Sequence, residues 1–342
     1  MILQSQACLS WLCYLQQTCG KELIGPLNDK LLRVCGVYDI SPQFLEYYAE
    51  LPLIGEPGID LSAQYCAVNF LEGNPLTDPQ VLDYGDFIYK YVVALNKHLP
   101  QIVPKCFCFL EKDTATGDSE KTAVFLNISG NMVARLLPQI MAWQNKSDRL
   151  LAVQKYLRLV APKFVLWHIG FMHSREEDPV RLVMVAPDGK ANDVLEALKR
   201  LDKEREAVCM EAVLREIEAT ELFDYILDID VMPDGSLGDV VGLELLTRKI
   251  RPAAQLSMFR DVQYTKFLAL LQNQGIADQR IELLPKCSFA MQAPDEHQER
   301  YFLASRISHF KLRWKDCQPL PAKVYLQMTT MPAQYTLNEV FL

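Results

Sequence analysis

The C-terminal part of the chain alternates polar and apolar residues with a period of two. In the segment KLRWK, three cations at alternate positions, Lys311, Arg313 and Lys315, enclose a leucine and a tryptophan. In KVYLQM, Lys323 and Tyr325 alternate in the same way with valine, leucine and methionine. Because successive side chains of a strand point to opposite faces, both segments predict strands with one apolar and one cationic face. The prolines between the two segments predict a turn.

The same alternation predicts about ten strands along the chain. Most of them come in pairs joined by a short polar turn, so we expect antiparallel hairpins rather than βαβ crossovers. The remaining predicted strands are GEPGIDLSAQYCAVNF, KCFCFLE, TAVFLNIS, KFVLWHIGFMH, PVRLVMVAP, LFDYILDIDV with its partner after a PDG turn, RIELLPKCSFAM, and YFLASRISHFKLRW, which contains the first cationic segment.

Helical periodicity separates the strand pairs. Apolar residues recur at helical spacing in 79–99, 132–159, 190–221 and 253–273. The first fifty residues also have a helical pattern. In that region Ser41 followed by Pro42 predicts an N-cap with proline at the first helical position, opening a short helix through Tyr47 and Tyr48.

The two faces of the strands decide the predicted architecture. In FDYILDIDV, Asp228 and Asp230 face away from the apolar side. Amphipathic helices cover the apolar faces, which leaves the polar faces together on the other side. In a sheet closed on itself, that side becomes a polar lumen. We therefore predict one α+β domain over residues 1–342: an antiparallel barrel of about ten strands, built from repeated αββα units and ringed by helices, with 1–50 as an N-terminal helical layer.

Charge and cysteine content narrow the class of protein. The net charge of −8 argues against nucleic-acid binding, which needs a basic face. No apolar run reaches the length of a transmembrane helix, and the N-terminus lacks the cationic start of a signal peptide. None of the 10 cysteines forms a CxxC pair, so we expect reduced thiols in a cytoplasmic protein that binds no membrane. No Walker A, GxGxxG, GxSxG or HExxH motif occurs.

The repeated helix-strand-strand-helix units resemble the aromatic prenyltransferase superfamily, whose fold is the ABBA or PT barrel. GEPGIDLSAQY is similar to an early strand of its dimethylallyltryptophan-synthase branch, where a Gly/Pro-rich segment precedes Glu-x-Ser-x-Asn-Tyr. PLPAKVYLQM is similar to a late strand with a Pro-led Lys-Val-Tyr, and PVRLVMVAP loosely resembles a third strand. Two features depart from the pattern: the acid, Asp60, is Asp instead of Glu, and the hairpin DGSLGDVVGLEL has no Arg-x-Lys.

The resemblance implies transfer of an isoprenyl group from its diphosphate, for example dimethylallyl diphosphate, to an aromatic small molecule or peptide. Cations stabilise the charge that develops on the departing pyrophosphate. The implied diphosphate-binding residues are Lys105, Arg181, Lys311, Arg313, Lys323 and Tyr325. Asp60 is the implied general base, and Gln64, Tyr65 and Trp167 are the implied acceptor contacts. The resemblance does not establish a required cofactor. If Mg²⁺ takes part, Asp228 and Asp230 are its candidate ligands.

Two other functions fit the same residues. The first is a non-catalytic accessory protein that binds a peptide or partner. In it the cationic strands form an exposed sheet edge and there is no deep pocket. The second is a tailoring enzyme of peptide or natural-product biosynthesis that uses Asp228 and Asp230 with a metal. In the simplest interpretation these two carboxylates only form a solvent-facing stripe.

Overall fold

The computed structural model describes residues 4–27, 46–66, 107–112, 123–128, 132–173, 175–186, 188–248, 252–292 and 301–332. The helices are α1 (Gln4–Cys19), α2 (Lys21–Ile24), α3 (Met132–Trp143), α4 (Leu150–Val160), α5 (Ala191–Arg200), α6 (Glu204–Glu218), α7 (Pro252–Met258) and α8 (Val262–Asn273), with 3-10 turns at Ser147–Arg149 and Gln279–Cys287. The strands are β1 (Glu46–Pro52), β2 (Asp60–Cys66), β3 (Phe107–Lys112), β4 (Ala123–Asn127), β5 (Val165–Phe171), β6 (Val180–Ala186), β7 (Phe223–Val231), β8 (Leu237–Thr247), β9 (Phe289–Gln292), β10 (Tyr301–Lys315) and β11 (Gln318–Pro332). None of the described helices is long and apolar enough to cross a bilayer.

The strands form one antiparallel sheet that closes into a barrel. Strands β1 to β8 follow one another in order, β10 pairs with β8, and β11 pairs with both β10 and β1. Strand β9 adds only to the first part of β10, before β8 takes over the same edge. The predicted antiparallel barrel with helices around it is therefore confirmed.

The helices cover the outer face of this barrel and make the hydrophobic core there. Strand residues that point outward are fully buried beneath them: Tyr47, Leu61, Leu182, Leu227, Leu243, Leu312 and Val324. These residues alternate with the polar ones that were predicted to share a face. The outer layer thus leaves the polar faces of the strands to enclose the lumen.

The hairpin β10–β11 differs from the predicted pair of short strands. Each strand has 15 residues, and a two-residue turn joins them because Lys315 pairs with Gln318. Asp316 and Cys317 both have positive φ, 51° and 62°, as a type I′ hairpin turn requires. The predicted proline turn is wrong: both prolines lie inside β11, next to a register shift where a missing N–H is tolerated.

Strand β1 replaces part of a predicted helix. The prediction of a helix through Tyr47 and Tyr48 is wrong, because Glu46–Pro52 is extended and pairs with β2 and β11. Tyr47, Ala49 and Leu51 are buried on the outer face, a period-two pattern that the helical interpretation overlooked. The proposed cap at Ser41 and the predicted helix over 79–99 lie outside the described residues.

Two further predicted elements need correction. The segment 253–273 is not one helix but two, α7 and α8. Asp261 Oδ1 accepts a hydrogen bond of 2.8 Å from the backbone N–H of Gln263, which caps the start of α8. The predicted strand RIELLPKCSFAM is mostly a 3-10 helix, Gln279–Cys287, with only Phe289–Gln292 extended.

Helix α1 is held on the outside of the barrel by a buried tryptophan. Trp11 is fully buried, and its indole Nε1 donates a hydrogen bond of 2.9 Å to Ser305 Oγ on β10. The same helix face brings Cys19 Sγ to 3.4 Å from Cys287 Sγ, and none of the cysteines whose side chains the structure describes forms a disulfide. The contact between Trp11 and Ser305 joins residues almost 300 positions apart in sequence, so it depends on the complete fold.

Replacing this tryptophan tests how much the α1 contact contributes. We expect Trp11→Ala to lower the free energy of unfolding by about 3–5 kcal/mol, because it opens a large cavity and leaves Ser305 unpaired. Urea unfolding followed by circular dichroism measures the change. Leu9→Ala on the same helix is the control and should cost under about 1 kcal/mol, since Leu9 is 36% exposed. An equal loss in both variants would contradict this account.

Candidate active site

Two adjoining cavities lie inside the barrel, and Lys311 and Tyr325 line both of them. We call the smaller one, of about 120 Å³, the inner chamber. Its lining includes Tyr48, Ser62, Phe125, Trp167, His168, Val183, Asp228, Glu244 and His309. We call the larger one, of about 690 Å³, the vestibule. Its lining includes Glu50, Asp60, Arg175, Arg181, Asp230, Arg313, Lys315 and Lys323 and the turn between β7 and β8.

The period-two geometry of the strands explains why the cavities follow one another along the barrel. On five strands a step of two residues leads from the inner chamber to the vestibule: Tyr48 to Glu50, Ser62 to Asp60, Val183 to Arg181, Asp228 to Asp230 and Tyr325 to Lys323. Two residues of a strand span about 6.6 Å. The barrel interior is therefore arranged in levels, with more aromatic walls in the inner chamber and more charged ones in the vestibule.

Lys311 joins the two levels through a buried ion triad. Its Nζ contacts Asp228 Oδ2 and lies 2.9 Å from Glu244 Oε1. Glu244 is its direct neighbour across the β8–β10 pairing, and Asp228 reaches it over Gly242 of β8. A Cβ at Gly242 would lie only 2.9 Å from the Cβ of Asp228. The glycine therefore leaves the space that the triad needs.

The triad carries one more carboxylate than ammonium. Burial favours the neutral amine of Lys311, but Asp228 and Glu244 outweigh it and raise the pKa of the lysine. Burial also raises the pKa of Asp228 to about 6, and the neighbouring Glu244 adds to the rise. Asp228 Oδ1 has no hydrogen-bond partner in the part of the chain that the structure describes. Lys311 thus stays protonated, while Asp228 is less acidic than usual.

Three of the vestibule cations already form ion pairs with carboxylates there. The Nε and Nη2 atoms of Arg181 donate to Asp230 at 2.8 and 2.9 Å, and Arg175 approaches the same carboxylate at 3.2 Å. Lys323 forms an ion pair with Glu50, a carboxylate that is 6% exposed. Lys323 holds the pKa of Glu50 below its usual value even though burial acts in the opposite direction. The vestibule is therefore close to charge balance.

Arg313 differs from the other vestibule cations. It is half-buried on β10, and its Nε has no hydrogen-bond partner among the described residues. Burial lowers the pKa of its guanidinium, and Glu50 partly offsets the effect. An unpaired donor in a partly buried cavity costs free energy until a ligand or water satisfies it. Arg313 is the vestibule cation best prepared to bind an anion.

The histidines of the inner chamber are neutral. His309 stacks on Tyr325 with ring centroids 4.0 Å apart, and its Nε2 is 3.8 Å from Glu244 Oε2. Burial, helped by the charge of Lys311, lowers the pKa of His309 to about 3. Burial likewise lowers the pKa of His168 to about 3, with Asp228 opposing the shift. At neutral pH the chamber therefore contains no imidazolium.

The structure brings most of the predicted site residues into these cavities. The vestibule contains Asp60, Arg181, Asp230, Arg313 and Lys323, the inner chamber contains Trp167 and Asp228, and Lys311 and Tyr325 lie between them. Lys105 lies outside the described residues, as do the side chains of Gln64 and Tyr65 on β2.

Sequence reasoning missed Tyr48 and Glu50 as lumen residues, because it assigned their segment to a helix. The alternation of Tyr48 and Glu50 with Tyr47, Ala49 and Leu51 was the signal that could have found them. It also missed that carboxylates pair with the cations. The strand partners that create these pairs are far away in sequence.

Two of the simpler interpretations do not fit this arrangement. The cationic strands are not an exposed sheet edge, because β11 has a strand partner on each side. Asp228 is not part of a solvent-facing stripe, since it is 3% exposed.

Within the described ranges, no three His, Cys, Asp or Glu residues are grouped to hold a metal ion. Asp228 and Asp230 instead form ion pairs with Lys311 and Arg181. Carboxylates held by cations in this way do not suit Mg²⁺ as ligands.

The raised pKa of Asp228 predicts a specific pH dependence of stability. Its native pKa of about 6 exceeds the ordinary 3.8, so between these values the native state binds more protons than the unfolded state. Stability from this group is complete below about pH 4 and is lost as the pH rises to about 6. Asp228→Asn removes this contribution.

Urea unfolding of wild type and Asp228→Asn across that pH range is the measurement. We expect the stability difference, wild type minus variant, to fall as the pH rises. Removing Asp228 lowers the pKa values of His168 and His309 further, so both histidines stay neutral in the native state of both proteins over this range and their contributions cancel in the difference. A difference that grows with pH would mean that the carboxyl group is more acidic in the native state than in the unfolded state.

Comparisons with known proteins find a shared fold. No family model and no curated protein matches the sequence. The solved structure of the apo form of the prenyltransferase PriB superposes with a TM-score of 0.58 at 11% identity, over 96% of each chain. AnaPT from Neosartorya fischeri gives 0.53 at 10% identity, over 97% of this chain and 94% of that one.

A third similar structure is the 6-dimethylallyltryptophan synthase from Micromonospora olivasterospora in complex with DMASPP and Trp. Its TM-score is 0.52 at 11% identity, over 95% of this chain and 97% of that one. The matches extend over almost the whole of each chain and agree with the closed antiparallel barrel described above. The chain therefore has the αββα barrel fold of the aromatic prenyltransferase superfamily.

Proposed function

We propose that the protein transfers an isoprenyl group, such as dimethylallyl, from its diphosphate to an electron-rich aromatic acceptor inside the barrel. The acceptor is an aromatic small molecule or an aromatic side chain of a peptide. The fold supports the class of reaction, since the similar structures are prenyltransferases. Because one fold can carry many functions, the residues of the barrel interior decide the reaction.

The observation that carries the proposal is the separation of charge along the barrel. Breaking the C–O bond of an allylic diphosphate gives a carbocation and pyrophosphate, which need opposite environments. The vestibule offers Arg181, Arg313 and Lys323 to the pyrophosphate. The cation forms at the boundary of the inner chamber, where the ring of Tyr325 and the negative charge of the chamber stabilise it. Ordering both environments before the bond breaks lowers the barrier to ionisation.

The ion pairs determine which cation contributes most to diphosphate binding. Arg181 and Lys323 must share their charge with Asp230 and Glu50, so a diphosphate gains less from them than from an unpaired cation. Among the described residues, Arg313 has an unsatisfied Nε and no carboxylate partner, so a diphosphate displaces no ion pair there. Tyr325 adds a hydroxyl donor at the boundary with the inner chamber.

In the proposed reaction an aromatic carbon of the acceptor attacks C1 of the isoprenyl cation. The new C–C bond forms, pyrophosphate remains in the vestibule, and the ring loses a proton to restore aromaticity. Asp60 takes this proton as general base, because it lies one step along β2 from Ser62 of the inner chamber. The candidate ligands Asp228 and Asp230 are engaged with Lys311 and Arg181, so we assign Mg²⁺ no part in these steps.

Arginine and lysine variants test the diphosphate site. We expect Arg313→Ala to weaken binding of dimethylallyl diphosphate by about 1.5–3 kcal/mol, roughly 10- to 100-fold in Kd, because a charged hydrogen-bond donor is lost. Lys323→Ala should weaken it less, since Glu50 already balances that charge. Isothermal calorimetry of each variant is the measurement. Arg200→Ala, on the outer surface of α5, is the control and should bind like wild type.

Turnover is the direct test of the proposed function. Purified protein is incubated with dimethylallyl diphosphate and a panel of indoles, phenols and tyrosine- or tryptophan-containing peptides, with and without Mg²⁺, and mass spectrometry detects the added C5H8. We expect a prenylated product whose formation requires Asp60, with Asp60→Asn lowering kcat at least roughly 100-fold. Absence of diphosphate binding under all conditions would refute the proposal.

A further inference from the structure

The inner chamber contains more negative than positive charge. Among its described lining residues, Asp228 and Glu244 are carboxylates and Lys311 is the single cation. Burial keeps His168 and His309 neutral, because it lowers the pKa of each to about 3. A formal excess of one negative charge therefore remains in a cavity of about 120 Å³.

The buried carboxylate of Asp228 has one oxygen that lacks a hydrogen bond. Its side chain is 3% exposed and lines the inner chamber, and its Oδ2 contacts the Lys311 ammonium. Its Oδ1 is buried without a hydrogen-bond partner among the described residues. Buried polar atoms in native proteins are almost always satisfied, so an unpaired carboxylate oxygen beside a cavity indicates a missing donor. Glu244 adds an Oε2 atom whose neighbour is His309 Nε2 at 3.8 Å.

The remaining walls of the chamber suit a small aromatic ring. Tyr48, Phe125, Trp167 and Tyr325 contribute rings to its lining. Its volume of about 120 Å³ is close to the roughly 150 Å³ of an apolar cavity that holds benzene. The vestibule continues from the chamber past Lys311 and Tyr325, so substituents of a bound ring have space there.

We propose that the inner chamber binds an aromatic ligand that carries a protonated amino group, with the ammonium held by Asp228 and Glu244. The ammonium donates the hydrogen bond that Asp228 lacks and cancels the excess negative charge. A carboxylate in its place would add a second excess charge. The inference deepens the proposed function by naming the acceptor class and rests on it for that role, but the binding site itself is testable without a diphosphate.

Three benzene derivatives of similar size and different charge test the site. Benzylamine, benzyl alcohol and benzoate are titrated into the full chain at neutral pH, and calorimetry gives their affinities. We expect benzylamine to bind at least roughly tenfold more tightly than benzyl alcohol, and benzoate not to bind. Asp228→Asn should weaken benzylamine roughly tenfold and leave benzyl alcohol unchanged. Asp239→Asn makes the same substitution at an exposed vestibule position and should change neither affinity.

Any one of three results overturns the inference. They are equal affinities for benzylamine and benzyl alcohol, an equal loss of affinity for both ligands in Asp228→Asn, and no binding of benzylamine. If Asp228→Asn does not fold, Glu244→Gln removes the same charge from the triad and carries the same expectation. Titration of dimethylallyl diphosphate into the same samples separates the two proposals. Diphosphate binding without amine selectivity refutes only the amine site. Amine selectivity without diphosphate binding refutes the transferase and retains the amine site.

Discussion

Hydrogen bonding of β11 to both β1 and β10 is the constraint on which the rest of the structure depends. These two pairings join the two ends of the sheet, so each strand of the barrel has a neighbour on both sides. Without them the polar strand faces would contact water and behave as an ordinary surface. With them, the same faces enclose a small volume in which every charge is partly desolvated.

Desolvation then explains how the charges are arranged. An isolated charge in the lumen is costly, so Lys311, Lys323 and Arg181 each contact a carboxylate. Two charged groups of the lumen each keep an atom without a hydrogen-bond partner among the described residues, in opposite senses: Arg313 has an unsatisfied donor, and Asp228 has an unsatisfied acceptor. They belong to different levels of the barrel. An anionic group is favoured at the first and a cationic group at the second, which is the polarity that ionisation of an allylic diphosphate requires.

The outer layer keeps this arrangement in place by packing. Trp11 fixes α1 to β10, and Gly242 gives Asp228 room to reach Lys311 across β8. Gly242 has no charge, yet it controls where the carboxylate of Asp228 lies. The similar solved structures have the same barrel at about one identical residue in ten, so the fold tolerates wide changes in sequence. The acidic character of the inner chamber comes from Asp228 and Glu244.

The sequence by itself determined the local features: the period-two alternation that turns Arg313 and Lys323 to one face, the helices between strand pairs, and the antiparallel hairpins. It misassigned Tyr48 and Glu50, because a short alternation at the end of a helical region is ambiguous. Only the tertiary structure decided that the barrel closes and that Lys311 meets Asp228, 83 residues away, and Lys323 meets Glu50, 273 residues away. The reason is physical: side-chain periodicity follows from neighbouring residues, whereas ion pairing follows from which strands become neighbours when the sheet closes.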